Sequence, residues 1–147
     1  MANYFLSTVR YEKTMENGLN KTVSEQYLFD ALSFTEAEAR TIEELQPYIS
    51  GEFSIPQIVK PRISELMLSE DMSADRYYKV KVAFITIDKK NGAVKKANSF
   101  MLVQASDFKN AYERFIEGMK GTMADYEIVS IVETQILAYY PAKHDEK

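Results

Sequence analysis

The feature that most constrains the fold is a match between the two halves of the chain at an offset of 74 residues. From Tyr4 to Leu45 the sequence matches itself without a gap, and 11 of these 42 positions are identical. The identities fall at turn, cap and core positions, among them Asn17/Asn91, Gly18/Gly92, Phe34/Phe108 and Arg40/Arg114. Further on the offset becomes 73, where residues 52–63 match 125–136. We interpret the chain as an internal duplication of a unit of about 70 residues.

Each half contains an Asn-Gly pair between segments of alternating polarity. Asn-Gly is the strongest short-range hairpin signal, because a type I′ turn needs φ > 0 at two successive residues. A two-residue loop then determines which residues face each other across the hairpin. The predicted pairs include Tyr78 with Ala105, Val80 with Val103, Leu6 with Phe29, and Arg10 with Glu25 as an ion pair.

A helix is predicted after each hairpin. Ser33 and Glu36 have the spacing of a capping box, and Asp107 takes the corresponding N-cap position in the second half. Pro47 must end or kink the first helix, because proline lacks an N–H and clashes with the preceding turn. Gly121 is expected to end the second.

A strand is predicted to close each half. Residues 126–140 are rich in β-branched and aromatic side chains and predict one long strand. Residues 53–68 contain Pro56 and Pro61, which suit an edge or bulged strand. The order is therefore ββαβ–ββαβ, an α+β fold with about six mainly antiparallel strands and two helices around a pseudo-twofold axis.

This order predicts a single domain over residues 1–147. Repeat one spans 3–68, a polar linker spans 69–76, repeat two spans 77–140, and 142–147 form a tail. The second face of each hairpin also carries apolar residues, whereas a sheet with one wet face alternates more cleanly. We therefore expect that face to pack against the other unit, with packing against a second subunit as the alternative.

Several chemistries are excluded by composition. The chain has no cysteine, and its one histidine is His144 in the predicted tail, so no thiolate, Ser-His or zinc constellation can be assembled. It has no phosphate-binding glycine motif and no apolar run long enough to span a bilayer. We expect no catalytic residue, no cofactor and no metal site, and a cytoplasmic location without membrane contact.

One local concentration of charge stands out in a chain whose net charge is −4. The second hairpin carries basic and aromatic candidate contact residues for nucleic acid or another ligand, namely Arg76, Tyr77, Lys79, Lys81, Lys89, Lys90, Lys95 and Lys96. Phe100 lies close by. Basic residues interleaved with aromatics can follow a phosphate backbone and stack bases. The alternative is that the lysines keep an exposed hairpin soluble and discourage edge pairing.

Four strings are distinctive enough to suggest a family: VRYEKTMENG, YLFDALSFTEAEAR, PYISGEF and GTMADYEIVSIVET. Through them the chain resembles, nearly end to end, an uncharacterised family of small proteins from gut Bacteroidales and their phages and mobile elements. The resemblance implies a bacterial or phage intracellular setting. It implies no activity and no site residue.

These features favour a non-catalytic intracellular binding or interaction protein over an enzyme. Its expected partner is another protein or a second copy of the chain. One alternative is single-stranded nucleic-acid binding through the basic second hairpin. Another is sequestration of a small nucleotide or signalling molecule in a pocket at the seam between units or subunits.

Overall fold

The computed structural model describes residues 3–142, and within that range the fold is α+β with eight strands in two sheets and two helices. The expected strand count of six is therefore wrong. The strands are β1 (Tyr4–Thr14), β2 (Asn20–Asp30), β3 (Phe53–Val59), β4 (Glu65–Met67), β5 (Arg76–Ile87), β6 (Val94–Ala105), β7 (Asp125–Glu133) and β8 (Ile136–Tyr140). The helices are α1 (Phe34–Leu45), followed by a 3-10 turn at Gln46–Tyr48, and α2 (Phe108–Gly118).

The two sheets have the same internal order. The first runs β3-β1-β2-β8 and the second, read in the same sense, runs β7-β5-β6-β4. Neighbours are antiparallel except for β8 beside β2 and β4 beside β6, which are parallel. Strand β3, which contains Pro56, lies at an edge as its proline predicts.

The chain divides into two compact units, and unit 1 is discontinuous in sequence. Among the described residues, unit 1 comprises 3–61 and 135–142, and unit 2 comprises 62–134. Strand β4 follows β3 of unit 1 along the chain but belongs to the sheet of unit 2. Strand β8 follows β7 of unit 2 along the chain but belongs to the sheet of unit 1. The fourth strand of each sheet, β8 or β4, is therefore formed by the segment that directly follows strand β7 or β3, respectively, of the other sheet.

This exchange explains why the two predicted closing strands are each broken in two. Between β3 and β4 the chain passes through Pro61, which has no N–H for a sheet ladder. Between β7 and β8 the chain turns at Thr134, whose backbone N–H and hydroxyl both donate to the carbonyl of Tyr77 at 2.8 Å. Continuous β-propensity does not reveal that a strand changes sheets.

The first hairpin has a different register from the predicted one. Met15 N–H bonds to the carbonyl of Leu19, so the loop has three residues and Gly18 alone takes a left-handed φ of 82°. Leu6 consequently faces Leu28, and Glu25 faces Val9, so the predicted Arg10–Glu25 pair does not form. A three-residue loop with glycine in the left-handed position is the next hairpin type after the two-residue one.

The second hairpin also departs from the two-residue loop. Asp88 pairs with Ala93 across a four-residue loop, in which Gly92 has a φ of 70°. Val80 therefore faces Met101 instead of Val103. A shift of two residues keeps every side chain on its predicted face, whereas the one-residue shift in unit 1 does not.

The caps of both helices confirm the sequence predictions. Ser33 Oγ accepts from Glu36 N–H at 3.1 Å, and Asp107 Oδ1 accepts from Asn110 N–H at 2.7 Å. Helix α1 ends at Leu45, just before Pro47, but α2 ends at Gly118, earlier than the predicted Gly121.

Each helix packs on one side of its own sheet. In unit 1, Phe29 and Val9 cluster with Leu45; in unit 2, Val80 and Val82 cluster with Phe115. All of these side chains are buried, so each unit has its own core.

A helix arginine binds the fourth strand of each unit. Arg40, 4% exposed, donates to the carbonyls of Asp30 at 2.7 Å and Pro141 at 2.8 Å, directly after β8. Arg114 donates to the carbonyl of Leu68 at 2.7 Å, directly after β4. The two arginines occupy matching positions in the 74-residue offset.

Candidate functional site

The side of the unit 2 sheet turned away from α2 carries the two lysines of β5, Lys79 and Lys81. Val80 and Val82 point into the core beside Phe115, and side chains alternate along a strand. Lys79 and Lys81 therefore project from the opposite side, and both are half-buried. Phe100, also half-buried, is the partner of Lys81 on β6 and shares this side.

Three cationic groups converge on the ring of Phe100. The guanidinium carbon of Arg62 lies 4.6 Å from the ring centroid, and the ammonium nitrogens of Lys79 and Lys81 lie at 4.9 and 5.9 Å. These distances are those of cation–π contacts, which favour a cation over an aromatic face. We call Arg62, Lys79, Lys81 and Phe100 the Phe100 cluster.

The positive charges of the Phe100 cluster have no acidic partner in the described chain. Within residues 3–142, no carboxylate oxygen lies within 4.0 Å of the nitrogens of Arg62, Lys79 or Lys81. Bringing like charges together raises their electrostatic energy, and partial burial weakens the screening by water. The ring offsets part of this cost, and a bound anion would offset more.

The other predicted contact residues are not among the cations on the Phe100 ring, although Tyr77 and Lys96 lie on the same side of the sheet by register. Arg76 is 3.8 Å from Glu133, and Lys96 is 3.2 Å from Glu127, so an acid lies beside each of these charges. The pKa of Arg76 is raised, mainly by a hydrogen bond with Tyr78 and secondly by the charge of Glu133. Tyr77 is buried. Lys89, Lys90 and Lys95 are exposed at and beside the hairpin loop, and Lys95 faces Thr86.

Arg62 is the member of the cluster that the sequence did not reveal. It lies 17 positions before Lys79, outside the predicted basic hairpin, and its neighbours Lys60 and Pro61 give no motif. Ser64 brings the segment to β6, because its N–H and hydroxyl donate to the carbonyl of Phe100 at 2.8 and 2.9 Å. Only the transfer of β4 into unit 2 places Arg62 beside Phe100.

Unit 1 contains a different cluster, in which one carboxylate, Glu25, is surrounded by hydrogen-bond donors and a lysine. The hydroxyls of Tyr11 and Tyr27 donate to Glu25 Oε1 at 2.8 and 3.0 Å, and Lys13 Nζ lies 4.0 Å from Oε2. Burial, together with the Glu25 carboxylate, raises the pKa of Tyr11 to about 12. Burial is also the main cause of a raised pKa at Tyr27. Both phenols therefore stay protonated near neutral pH and act as donors.

An open cleft of about 750 Å³ adjoins Tyr11 and Lys13 of this cluster. Its lining includes Tyr11, Lys13, Tyr48 and Glu52, and all of its lining residues belong to unit 1. Tyr48 is 82% exposed, so the cleft is shallow on that side. The acidic and basic groups of its lining do not select one class of ligand.

The described part of the chain offers no metal site and no membrane span. Within residues 3–142, no three His, Asp or Glu side chains are close enough to hold a metal ion. No helix in that range is long and apolar enough to cross a bilayer. His144 and the predicted tail, apart from Ala142, lie outside the described residues.

Comparison with known proteins places the chain in a family without assigning a role. None of the curated proteins matches the sequence. Residues 3–142 match the family described as Domain of unknown function (DUF4494), which covers both units. The chain therefore belongs to the DUF4494 family.

Proposed function

We propose that this protein is a non-catalytic binding protein whose unit 2 binds single-stranded nucleic acid through the Phe100 cluster. The observation that carries the proposal is the convergence of three cations on one half-buried ring, with no carboxylate of residues 3–142 within 4.0 Å of their nitrogens. A phosphate would neutralise the cations, and a ring next to a basic groove is what sequence-tolerant single-strand binding uses. The net charge of −4 makes this attraction local, since the whole protein is acidic.

The test is binding of labelled single-stranded DNA and RNA, measured by fluorescence anisotropy at several ionic strengths. We expect the double variant K79Q/K81Q to bind about tenfold more weakly and to reduce the salt slope by about 1.4, at about 0.7 per lost phosphate contact. The matched control K89Q/K90Q removes the same charge from the hairpin loop and is expected to retain most of the affinity. Equal losses in both variants, or equal binding of a glutamate-rich peptide, would contradict the proposal.

A second candidate is self-association through β7, in line with the expectation of a protein partner or homodimer. Strand β7 lies at an edge of its sheet and contains no proline. Val129 and Val132 are 52% and 57% exposed on this strand. An exposed apolar edge strand can pair with another chain. Light scattering coupled to size exclusion is expected to detect a dimer that the V129K variant loses; a concentration-independent monomer would exclude this candidate.

We also infer that the two units arose by duplication in a bacterial or phage setting. The shared strand order, the paired helix caps and the paired helix arginines support a common origin. In the structure, the offset between corresponding residues is not constant over the hairpin and helix. It is 74 between β2 and β6 and between α1 and α2, but 73 between β1 and β5, because the hairpin loops differ by one residue. A relative that consists of one unit alone would strengthen the inference.

A further inference from the structure

Arg62 lies closest to the Phe100 ring among the three cations, and the surrounding hydrogen bonds explain why. Ser64 is bound to the carbonyl of Phe100, and its hydroxyl lies 2.6 Å from that of Ser99. These contacts tie the backbone of the segment before β4 to the backbone of β6. Arg62, two residues before Ser64, therefore starts from a fixed point and reaches the ring with an exposed side chain.

The position of Arg62 is one that an unstacked base could occupy. A guanidinium is planar and stacks on aromatic faces, as a nucleobase does, but it is held there by a flexible side chain. Phe100 is hydrocarbon only, and its half-burial keeps the ring in place while leaving part of it accessible. Lys79 and Lys81 approach the same ring from β5. In this position their ammonium groups could bind the phosphates on either side of a stacked base.

We propose that Phe100 is a base-stacking site and that Arg62 covers its ring in the free protein, moving to a backbone phosphate when a strand binds. This inference rests on the proposed function and specifies its ligand as an unpaired base with its flanking phosphates. It gives each member of the cluster a separate role. Phe100 supplies contact with the base, the lysines supply charge, and Arg62 supplies charge after it leaves the ring.

The test uses the full chain and a single-stranded oligonucleotide that contains 2-aminopurine, whose fluorescence falls when the base stacks, with anisotropy measured in parallel. We expect the wild type to bind and to quench the probe. F100Y, which keeps an aromatic ring, should quench as well, whereas F100L should lose the quench and bind about tenfold more weakly. F84L alters another half-buried phenylalanine of the same hairpin, on the α2 side of the sheet, and should leave the quench unchanged.

The role of Arg62 has its own readout. R62Q should bind more weakly and reduce the salt slope by about 0.7, but it should reach the full quench at saturation, because the ring is then uncovered. Loss of the quench in R62Q would overturn the covering role. Binding with an undiminished quench in F100L would overturn the stacking site while leaving the proposed function standing. Absence of binding by the wild type would overturn both.

Discussion

The two units share one arrangement of strands and helix, but differ in the charged residues that surround their side-chain clusters. Each has the same strand order, an N-capped helix and a helix arginine that bonds to the carbonyl after its fourth strand. Unit 1 surrounds the acid Glu25 with tyrosine hydroxyls, whereas unit 2 surrounds Phe100 with cations. The shared arrangement depends on caps, turns and helix contacts. The strand residues that do not take part in these contacts can therefore differ between the units and give them separate roles.

A second difference lies inside the helix–sheet cores. In unit 1, Ser7 and Thr41 are both buried, and their hydroxyl oxygens are 2.8 Å apart. By strand register and helix offset, the corresponding residues of unit 2 are Val80 and Phe115, both fully buried. The same structural position is thus filled by a hydrogen-bonded polar pair in one unit and by an apolar pair in the other.

The largest expected effect concerns the two helix arginines. Arg40→Met should lower the free energy of unfolding by about 3 kcal/mol, because two carbonyls lose a charged donor. Arg114→Met should cost about 1 kcal/mol, since Arg114 makes one such bond and is only half-buried. Urea unfolding of both variants measures the difference. Equal losses would show that the arginines are equivalent in energy and would remove this contrast between the units.

A smaller effect is expected for the buried hydroxyl pair. The hydroxyl of Thr41 donates to the carbonyl of Ala37 at 2.7 Å, so Ser7 must be the donor to Thr41. Thr41→Val should therefore cost about 1.5 kcal/mol, because it leaves the buried Ser7 hydroxyl without an acceptor. Ser7→Ala should cost about 0.5 kcal/mol, because Thr41 keeps its own bond.

A double-mutant cycle completes this test. In S7A/T41V no hydroxyl is left unsatisfied, so the loss in the free energy of unfolding should be smaller than the sum of the single losses. Strict additivity would mean that the two hydroxyls do not depend on each other. The unit 1 pair would then be no more specific than the apolar pair of unit 2.

The effect that is smallest near neutral pH is the titration of Tyr11 in unit 1, which appears only at alkaline pH. The pKa of Tyr11 is about 12, against an ordinary value of 10.0, so the folded protein retains this proton over a range in which the unfolded chain loses it. The stability contributed by the protonated phenol is complete below pH 10 and is lost as the pH rises through about 12. Ultraviolet titration at alkaline pH should show late phenols, of which one, Tyr11, disappears in Y11F while Tyr27 remains.

The cause of this shift can be separated with a second variant. Burial is the largest cause and Glu25 the next, so Glu25→Gln should lower the pKa of Tyr11 only part of the way to its ordinary value. A complete return to the ordinary value would show that the carboxylate, and not burial, dominates. Y48F is a suitable control, because Tyr48 belongs to the same unit but is 82% exposed.

Much of the local structure could be predicted from the sequence because its causes are local. The caps at Ser33 and Asp107, the helix end before Pro47 and the presence of both hairpins depend on residues a few positions apart. The registers were wrong because Asn-Gly is compatible with loops of two, three or four residues. The choice among them depends on which side chains the rest of the unit buries.

The candidate site was predictable only in part, for the same reason. Lys79 and Lys81 follow from alternation along one strand beside a recognisable hairpin. Arg62 does not, because its place over Phe100 depends on β4 leaving one unit and joining the other.

The sequence by itself determined the α+β class, the two N-capped helices, the edge position of β3 and the concentration of basic residues on β5 and β6. These follow from chain-local propensities and capping hydrogen bonds. Tertiary structure decided the hairpin registers, the breaks that create β4 and β8, the exchange of these strands and the assembly of the Phe100 cluster. Pairing between distant segments depends on which arrangement buries the most apolar surface and satisfies the most backbone groups, and no short stretch of sequence contains that information.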